Sequence, residues 1–299
     1  MRCRFVLLLV AATILPCAPA RAWNNAGHKI VAMIAFRDLD AATRDRVVAA
    51  LKEHIAFKNG DWPGRVEAGA DADASLFLFA AIFPDDAKHD DRYDEFDVRD
   101  AHFINFPFIP RVRDRRDPAI QVKDPHAGQN AVRAYWERVR EINGRSTTAE
   151  TRALALSWVF HLVGDIHQPL HSVARYSPAF PRGDQGGNLV KIHGQKLHSF
   201  WDGLLGRNER FTSIRDEAEE IMNEHPRNSL GELDQEFEAW ALESLVLAKS
   251  TVYQGLDPLV DNHSDFPVGY RASAEKAARR RAAMAGYRLA DQLRTMFAP

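Results

Sequence analysis

An apolar helical run that ends in a cluster of titratable side chains constrains the fold more than any other feature. The segment 147–168 repeats apolar residues at helical spacing, and its last turns carry His161, Asp165 and His167, with His171 just beyond. Burying an unpaired charge costs on the order of several kcal/mol. A fold that buries this helix must therefore bring compensating groups to its end.

Helical patterns also dominate the rest of the chain. Apolar residues recur three and four positions apart, which places them on one face of a helix. The segments with this pattern are 40–57, 69–83, 126–144, 147–168, 233–254 and 273–297. We therefore expect an all-α fold, a single mostly helical domain.

Capping and breaking residues predict where several of these helices begin and end. Asp40 is expected to cap the first helix, and Pro84 is expected to stop the second. Gly144 should end the third. The fourth should start at a cap on Thr147 or Thr148.

Strand signals are weak. The segment 188–197 is compatible with a short hairpin around Gly194. Most of the Pro, Gly and Arg residues lie in 108–125 and 174–190, which are expected to be loops over the surface.

The first residues are typical of a secretory leader. Arg2 and Arg4 precede the apolar stretch FVLLLVAATIL, and an Ala-x-Ala pattern follows it. We therefore expect a signal peptide over 1–22 and a mature domain over 23–299 that is secreted or periplasmic. No later run approaches the ~20 apolar residues of a membrane span.

Composition limits the chemistry of the mature chain. Both cysteines, Cys3 and Cys17, precede the expected cleavage site, which excludes disulfides and cysteine-bound metals. A lipid anchor on Cys17 is the alternative, and Pro16 disfavours it. Cleavage removes three arginines, so the formal net charge falls from −2 to −5. Bulk charge then gives no attraction for nucleic acid, and any such binding must be local.

Two His-x-x-x-Asp pairs suggest a metal site. His161 and Asp165 share a helix face, as do His198 and Asp202, and His171 can turn back towards the first pair. Imidazole and carboxylate are ligands that suit zinc. One such pair alone would be read as a surface hydrogen bond, but two pairs in largely apolar helices favour metal binding.

Three motifs carry a resemblance to a known family. HLVGDIHQPLH (161–171), GDQGGNLV (183–190) and LHSFWD (197–202) resemble, in order and spacing, the core of the zinc-dependent single-strand nucleases of the S1/P1 type. These enzymes share a fold with the bacterial zinc phospholipases C. The resemblance extends from Trp23 to the C-terminal helices and implies that fold, with a trinuclear zinc cleft.

The resemblance implies ligands for three zinc ions per chain. One ion would take the free amine and carbonyl of Trp23, exposed by leader cleavage, together with His28. The second would be held by four side chains: Asp85, His102, His161 and Asp165. The third would be held by three: His171, His198 and Asp202.

Other residues near these motifs leave alternatives open. Asp86 competes with Asp85, which the motif register favours, and Phe83 stands where the family often has Trp. His167 is expected beside the ligands or at the surface. The remaining histidines match no motif and are expected at the surface: His54, His89, His126, His193, His225 and His263.

The activity that the resemblance implies is phosphodiester hydrolysis. Metal ions held by Asp85 and Asp165, with Asp165 bridging two of them, would activate water for attack on phosphorus. Lys88 would stabilise the transition state, unless it is simply a solvated lysine. The expected substrates are single-stranded DNA and RNA, cut to 5′-phosphonucleotides by a monomer, with 3′-nucleotidase activity as a further expectation.

Substrate recognition would fall to three residues. Phe103 would stack a base, unless it belongs to the core. Asn105 stands where family members have an Asp that contacts the base edge, which leaves base preference open. Asn188 lies in the family's loop near the site.

Two rival functions remain. A zinc phospholipase C would share the ligands, and the pair Phe103 and Asn105 speaks for a base pocket instead. A zinc-storage protein is the non-enzymatic rival, although structural zinc sites usually have four protein ligands.

Overall fold

Helices make up most of residues 23–298, the part of the chain that the computed structural model describes. The predicted signal peptide over 1–22 lies outside the described residues. The helices are α1 (Asn25–Asp38), α2 (Ala41–Leu51), α3 (Ile55–Lys58), α4 (Asp61–Arg65), α5 (Ala72–Asp86), α6 (Ala131–Asn143), α7 (Ala149–His167), α8 (Leu197–Asp202), α9 (Phe211–Glu224), α10 (Phe237–Leu247) and α11 (Tyr270–Met296). The expected single, mostly helical domain is confirmed. The helical segments predicted from the sequence did not include α1 or α9.

Within residues 23–298 the strands are few and short. They are β1 (Phe106–Phe108), β2 (Val173–Arg175), β3 (Lys191–Ile192), β4 (Gln195–Lys196) and β5 (Asn262–His263). β1 pairs with β2 in parallel, and β3 pairs with β4 antiparallel and with β5 in parallel. His193 and Gly194 join β3 to β4 with φ of 50° and 78°, as a tight hairpin turn requires. The hairpin around Gly194 is confirmed.

Side chains cap the helices where the sequence predicts. Asp40 Oδ1 accepts the N–H of Thr43 at 2.9 Å at the start of α2. Thr148 Oγ1 accepts the N–H of Thr151 at 3.1 Å and so starts α7. Gly144 directly follows α6. These ends depend on local hydrogen bonds, which is why the sequence alone locates them.

Pro84 does not stop α5, so that prediction is wrong. The helix continues through Pro84 to Asp86, although proline has no N–H to donate to the Ala80 carbonyl. The end of α5 is buried against α7, and the Ala81 carbonyl bonds to Nδ1 of His161 at 2.8 Å. Tertiary contact therefore outweighs the missing helix bond and keeps the acidic end of α5 beside α7.

The centre of the core is α7, which packs against α5, α6, α10 and α11, while α1 packs against α5, α9 and α11. A second apolar cluster lies under the β3–β4 hairpin and the start of α11. The segment 174–190 crosses this region and is largely buried. Its expected place as a surface loop is therefore wrong, because Arg175 and Asp184 are held in the interior, both almost fully buried.

His54 is buried, although the sequence placed it at the surface. Its ring stacks on Trp62 with centroids 4.2 Å apart, and its Nδ1 accepts the N–H of Ala56 at 3.1 Å. Burial lowers the pKa of His54 to about 3. Among the others, His225 and His263 are half-buried, and three are exposed: His89, His126 and His193.

Two buried arginines of α11 hold the end of α7. Arg281 Nε donates to the His167 carbonyl at 3.2 Å, and Arg288 donates to Nε2 of His167 at 2.9 Å. Both guanidinium groups pair with Glu243 of α10 at 2.7 Å. His167 is thus buried next to the predicted ligands, which is the first of the two positions expected for it. We call Arg281, Arg288 and Glu243 the arginine clamp. It fixes the C-terminal end of α7 to α10 and α11.

We predict that Glu243→Leu destabilises the fold by about 3–5 kcal/mol, because it leaves two buried guanidinium groups without a counter-charge. Urea unfolding followed by circular dichroism measures the effect. Glu238→Leu is the control on the same helix. Its side chain is 46% exposed and faces the exposed His126 at 3.4 Å, so its loss should cost less than about 1 kcal/mol. Equal costs for the two variants would show that the clamp contributes nothing.

Candidate metal centre

Eight predicted ligand side chains converge at the end of α7. Within residues 23–298 they form groups whose donor atoms lie within 4.8 Å of one another, and every member is buried. The groups are His28, His161 and Asp165; Asp85, His102 and His161; and His171, His198 and Asp202. Because His161 belongs to two of them, the first two groups form one continuous cluster.

His28 reaches this cluster because α1 approaches α7 at a glycine. The rings of His28 and His161 stack with centroids 4.0 Å apart. A Cβ atom on Gly164 would lie 2.5 Å from Nδ1 of His28, too close for any side chain. Gly164 therefore provides the space for His28, a role that nothing in the sequence pattern indicated.

Backbone carbonyls orient three of the imidazoles. In each ring Nδ1 bonds to a carbonyl oxygen, so Nδ1 carries the proton and Nε2 remains a lone-pair donor. Histidines that bind metals are oriented in this way. The pairs are His161 with Ala81 at 2.8 Å, His171 with His102 at 2.7 Å and His198 with Gly186 at 2.6 Å.

Asp165 lies between imidazoles from three segments of the chain. Its Oδ2 is 3.0 Å from Nδ1 of His102 and 3.3 Å from Nε2 of His161, and its Oδ1 is 3.4 Å from Nε2 of His28. Burial opposes ionisation of Asp165, but His161, the hydrogen bond from His102 and the nearby His28 ring outweigh it and hold its pKa well below the ordinary value. Burial lowers the pKa of His161 to about 3. The carboxylate is charged and this imidazole is neutral, which are the forms that bind metals.

Asp85, and not Asp86, faces the cluster. Asp85 Oδ1 is 3.8 Å from Nε2 of His161 and 2.5 Å from Nζ of Lys88. Burial opposes the ionisation of Asp85, but His161 and Lys88 outweigh it and lower its pKa. Asp86 instead pairs with Arg65 at 2.7 Å. The Lys88 side chain is only 4% exposed, so it is a buried neighbour of the cluster and no solvated lysine.

Gln168 connects α7 to the third group, although no role was predicted for it. Its Nε2 donates to Asp202 Oδ1 at 2.8 Å, and its Oε1 accepts the N–H of Leu170 at 2.6 Å. Burial raises the pKa of Asp202, and this hydrogen bond opposes the rise. A polar residue inside the apolar motif HLVGDIHQPLH was the one available signal for it.

The glycine-rich loop supports His198. Gly186 and Gly187 have φ of 59° and 78°, which favour glycine, and a Cβ on Gly186 would lie 2.4 Å from the Leu170 carbonyl oxygen. Asn188 Nδ2 donates to the Gln185 carbonyl at 2.9 Å. Asn188 therefore holds the loop, and its contact with substrate stays a prediction.

Trp23 lies next to the third group. It is fully buried, and the following residue, Asn24, donates its N–H to the Asp202 carbonyl at 3.2 Å. Its Cβ would be 2.7 Å from a Cβ on Gly27, one residue before His28. That the amine and carbonyl of Trp23 bind a metal at the first group stays a prediction.

Phe103 and Asn105 lie in the segment between the predicted ligand His102 and β1. The Phe103 carbonyl accepts the N–H of Ala131 at 2.9 Å, and Ile104 donates its N–H to the His171 carbonyl at 2.8 Å. Side chains alternate along an extended segment, so the fully buried Ile104 points inward and its two half-buried neighbours point outward. Their predicted role in binding a base stays a prediction.

The donor atoms fit divalent metal ions. Several buried donors have no hydrogen-bond partner within residues 23–298, although such atoms are normally paired. They include both ring nitrogens of His28, Nε2 of His102, Oδ2 of Asp85 and Oδ1 of Asp165. Nitrogen and carboxylate oxygen without sulfur is a ligand set that zinc accepts.

Comparison with known proteins shows which family this chain resembles over its length. A family described as S1/P1 Nuclease matches residues 23–298. Endonuclease 2 of Arabidopsis thaliana is 25% identical over 98% of this chain and 97% of its own length. Endonuclease 4 of the same plant is 23% identical over 93% of this chain and 90% of its own length, and Endonuclease 1 is 23% identical over 76% and 69%.

We predict that Gln168→Leu weakens metal binding at the third group about 10- to 100-fold, because Asp202 loses the hydrogen bond that orients it. Competition with a fluorescent chelator measures the affinity. Gln195→Leu, at an exposed position, is the control and should not change it. Unaltered affinity in the Gln168 variant would contradict the assigned role.

Proposed function

Since this chain belongs to the S1/P1 nuclease family, and is therefore a hydrolase of phosphodiester bonds, we propose that it cuts single-stranded DNA and RNA with three zinc ions and leaves 5′ phosphates. The observation that carries the proposal is the convergence of three buried His/Asp groups at the end of one helix. Phosphoryl transfer needs concentrated positive charge at the phosphate. This set of donor atoms can hold the metal ions that would supply that charge.

Zinc would be held by Trp23 and His28 in the first position and by His171, His198 and Asp202 in the third. The second position would use Asp85, His102 and His161, with Asp165 shared between the first two. When bound, zinc ions would supply the Lewis acidity that makes water nucleophilic near neutral pH and offsets charge on the phosphate.

The protein's own groups orient the reaction. Asp165 and Asp85 stay ionised in the interior, so they can hold cations on both sides of His161. Lys88 Nζ, 2.5 Å from Asp85, would donate to a phosphate oxygen and stabilise the charge that develops there. A departing 3′ oxygen would lie on the side of His198, and the water on the side of His28.

Substrate selection would depend on the stacking of a base on Phe103. Phe103 faces outward next to His102, and its stacking on an unpaired base would contribute ~1–3 kcal/mol whatever the base. A paired base offers no free face, so single strands should bind better than duplexes. Asn105 would both donate to and accept from a base edge.

Several observations favour a nuclease over the rivals. The relatives that match over most of this chain are named endonucleases, and none of these findings points to a phospholipase C. Storage of zinc would not need a lysine beside the buried ligands. We retain the phospholipase as the alternative that a substrate assay excludes or supports. A 3′-nucleotidase activity is a further part of the proposal.

We also propose that the chain is secreted or periplasmic, with residues 1–22 removed. The family match begins at Trp23, which supports a mature chain starting there. Within residues 23–298 no helix is long and apolar enough to cross a bilayer. Removal of the leader would turn an amide nitrogen, which cannot bind zinc, into an amine that can.

We predict that the zinc-loaded chain starting at Trp23 releases acid-soluble nucleotides with 5′ phosphates from denatured DNA and from RNA. Duplex DNA should be cut more slowly, and lecithin should yield no phosphocholine. Phe103→Ala should raise KM for single strands by roughly five-fold or more, since alanine cannot stack on a base. Release of phosphocholine at a rate above that of nucleotides would favour the phospholipase.

We predict that three extra residues placed before Trp23 lower zinc affinity at the first position and reduce nuclease activity, because no free amine is then available. Metal content is measured by plasma mass spectrometry after dialysis against a weak chelator. The same residues added after Pro299 are the control. Unchanged zinc content in the extended chain would contradict the role of the amine.

A further inference from the structure

A cationic cavity lies beside the metal centre. It has a volume of about 330 Å³ and is bounded by α1, α5, the end of α4 and the segment 207–211. We name it the arginine pocket after its cations, Lys29, Arg65, Arg207 and Arg210. Its size is within the range of about 300–1,000 Å³ that small-ligand sites occupy.

Two elements that supply metal ligands also supply this pocket. Lys29 follows His28 on α1, and its side chain is 7% exposed. Arg65 donates to Asp86 at 2.7 Å, the residue after Asp85 on α5. Lys29 therefore places the pocket one residue from the predicted ligand His28, and Arg65 connects it to the residue after Asp85.

The segment that carries the other two arginines is tied to the third group. Asn24 donates its N–H to the Asp202 carbonyl at 3.2 Å, and its side-chain amide donates to the Gly206 carbonyl at 2.7 Å. The next residue is Arg207. These bonds fix the segment to the start of α1. The Arg207 guanidinium lies against Gly203, the residue after Asp202, with Nη2 3.2 Å from where a Cβ on Gly203 would be.

The charges in the pocket are only partly neutralised. Lys29 pairs with Glu209 at 2.7 Å, and Glu67 accepts the backbone N–H that begins α9. Arg207 and Arg210 are exposed, and neither forms an ion pair with a carboxylate within residues 23–298. The pocket thus presents two guanidinium groups that can bind an anion.

We propose that the arginine pocket binds the phosphodiester backbone of the substrate strand next to the bond that is cut. The inference rests on the proposed function, cleavage of single strands. Guanidinium groups bind phosphate through paired N–H bonds, and single-strand-binding proteins track the backbone with cations. The chain as a whole has a net charge of −2, so this attraction must be local.

The test compares a long with a short substrate. A single-stranded dodecanucleotide reaches the pocket while its scissile bond lies at the metal centre, and a dinucleoside monophosphate has no further phosphate to place there. In the double variant Arg207→Ala/Arg210→Ala, kcat/KM for the dodecanucleotide should fall at least about ten-fold more than for the dinucleotide. The slope of log kcat/KM against log salt should become shallower by ~0.7 for each phosphate that the variant no longer neutralises.

The control removes the same charge elsewhere. Arg113→Ala/Arg271→Ala replaces two exposed arginines that do not line the pocket, and the ratio of the two substrates should stay as in the wild type. An equal loss on both substrates, or no loss on the dodecanucleotide, overturns the proposal.

A binding measurement separates this proposal from the proposed function. If the wild type cuts neither substrate, single-strand cleavage is wrong. Fluorescence anisotropy with a phosphorothioate-linked dodecanucleotide then still tests the pocket, and the Arg207/Arg210 variant should bind it at least about ten-fold more weakly. Equal affinity of wild type and variant contradicts the pocket's role.

Discussion

The ionised carboxylate of Asp165, buried among His28, His102 and His161, is the interaction on which the rest of the structure depends. A buried charge is tolerated only with compensating partners, and these imidazoles come from α1, from the segment before β1 and from α7 itself. The helices must therefore converge at one point. The same convergence directs lone pairs of nitrogen and oxygen at each other. A bound cation can interact favourably with all of them at once. Fold and chemistry are thus consequences of one arrangement.

Hydrogen bonds from several elements support that arrangement. Arg281 and Arg288 hold the last carbonyl and the ring of His167 at the end of α7, and backbone carbonyls fix the orientation of three imidazoles. Gln168 holds Asp202. Ligands held in this way need little reorganisation when a metal or a phosphate binds. Electrostatic catalysis is effective because the charged groups are already oriented before the reaction. The half-buried Phe103 and the exposed arginines of the arginine pocket are the groups that we propose to meet the substrate.

Features that depend on neighbouring residues could be predicted from the residues themselves, whereas the distant ligands His28, Asp85 and His102 were predicted only through the resemblance to the family. The pair His161 and Asp165 is recognisable because a helix repeats every 3.6 residues, and the caps are local in the same sense. Pro84 misled because packing against α7 outweighs one missing helix bond. Gly164 and Gln168 were missed since their roles exist only when α1 and α8 reach α7.

The measurement that bears most directly on this account is the metal content of Asp165→Asn, a change that keeps the shape and removes the charge. The variant and the wild type, both starting at Trp23, would be dialysed side by side against zinc and analysed by mass spectrometry. We expect the zinc content to fall from about three ions per chain to about one, since Asp165 would serve both of the first two proposed positions, whereas the group of His171, His198 and Asp202 does not include it. A variant that retained all of its zinc would show that the buried carboxylate does not organise the site.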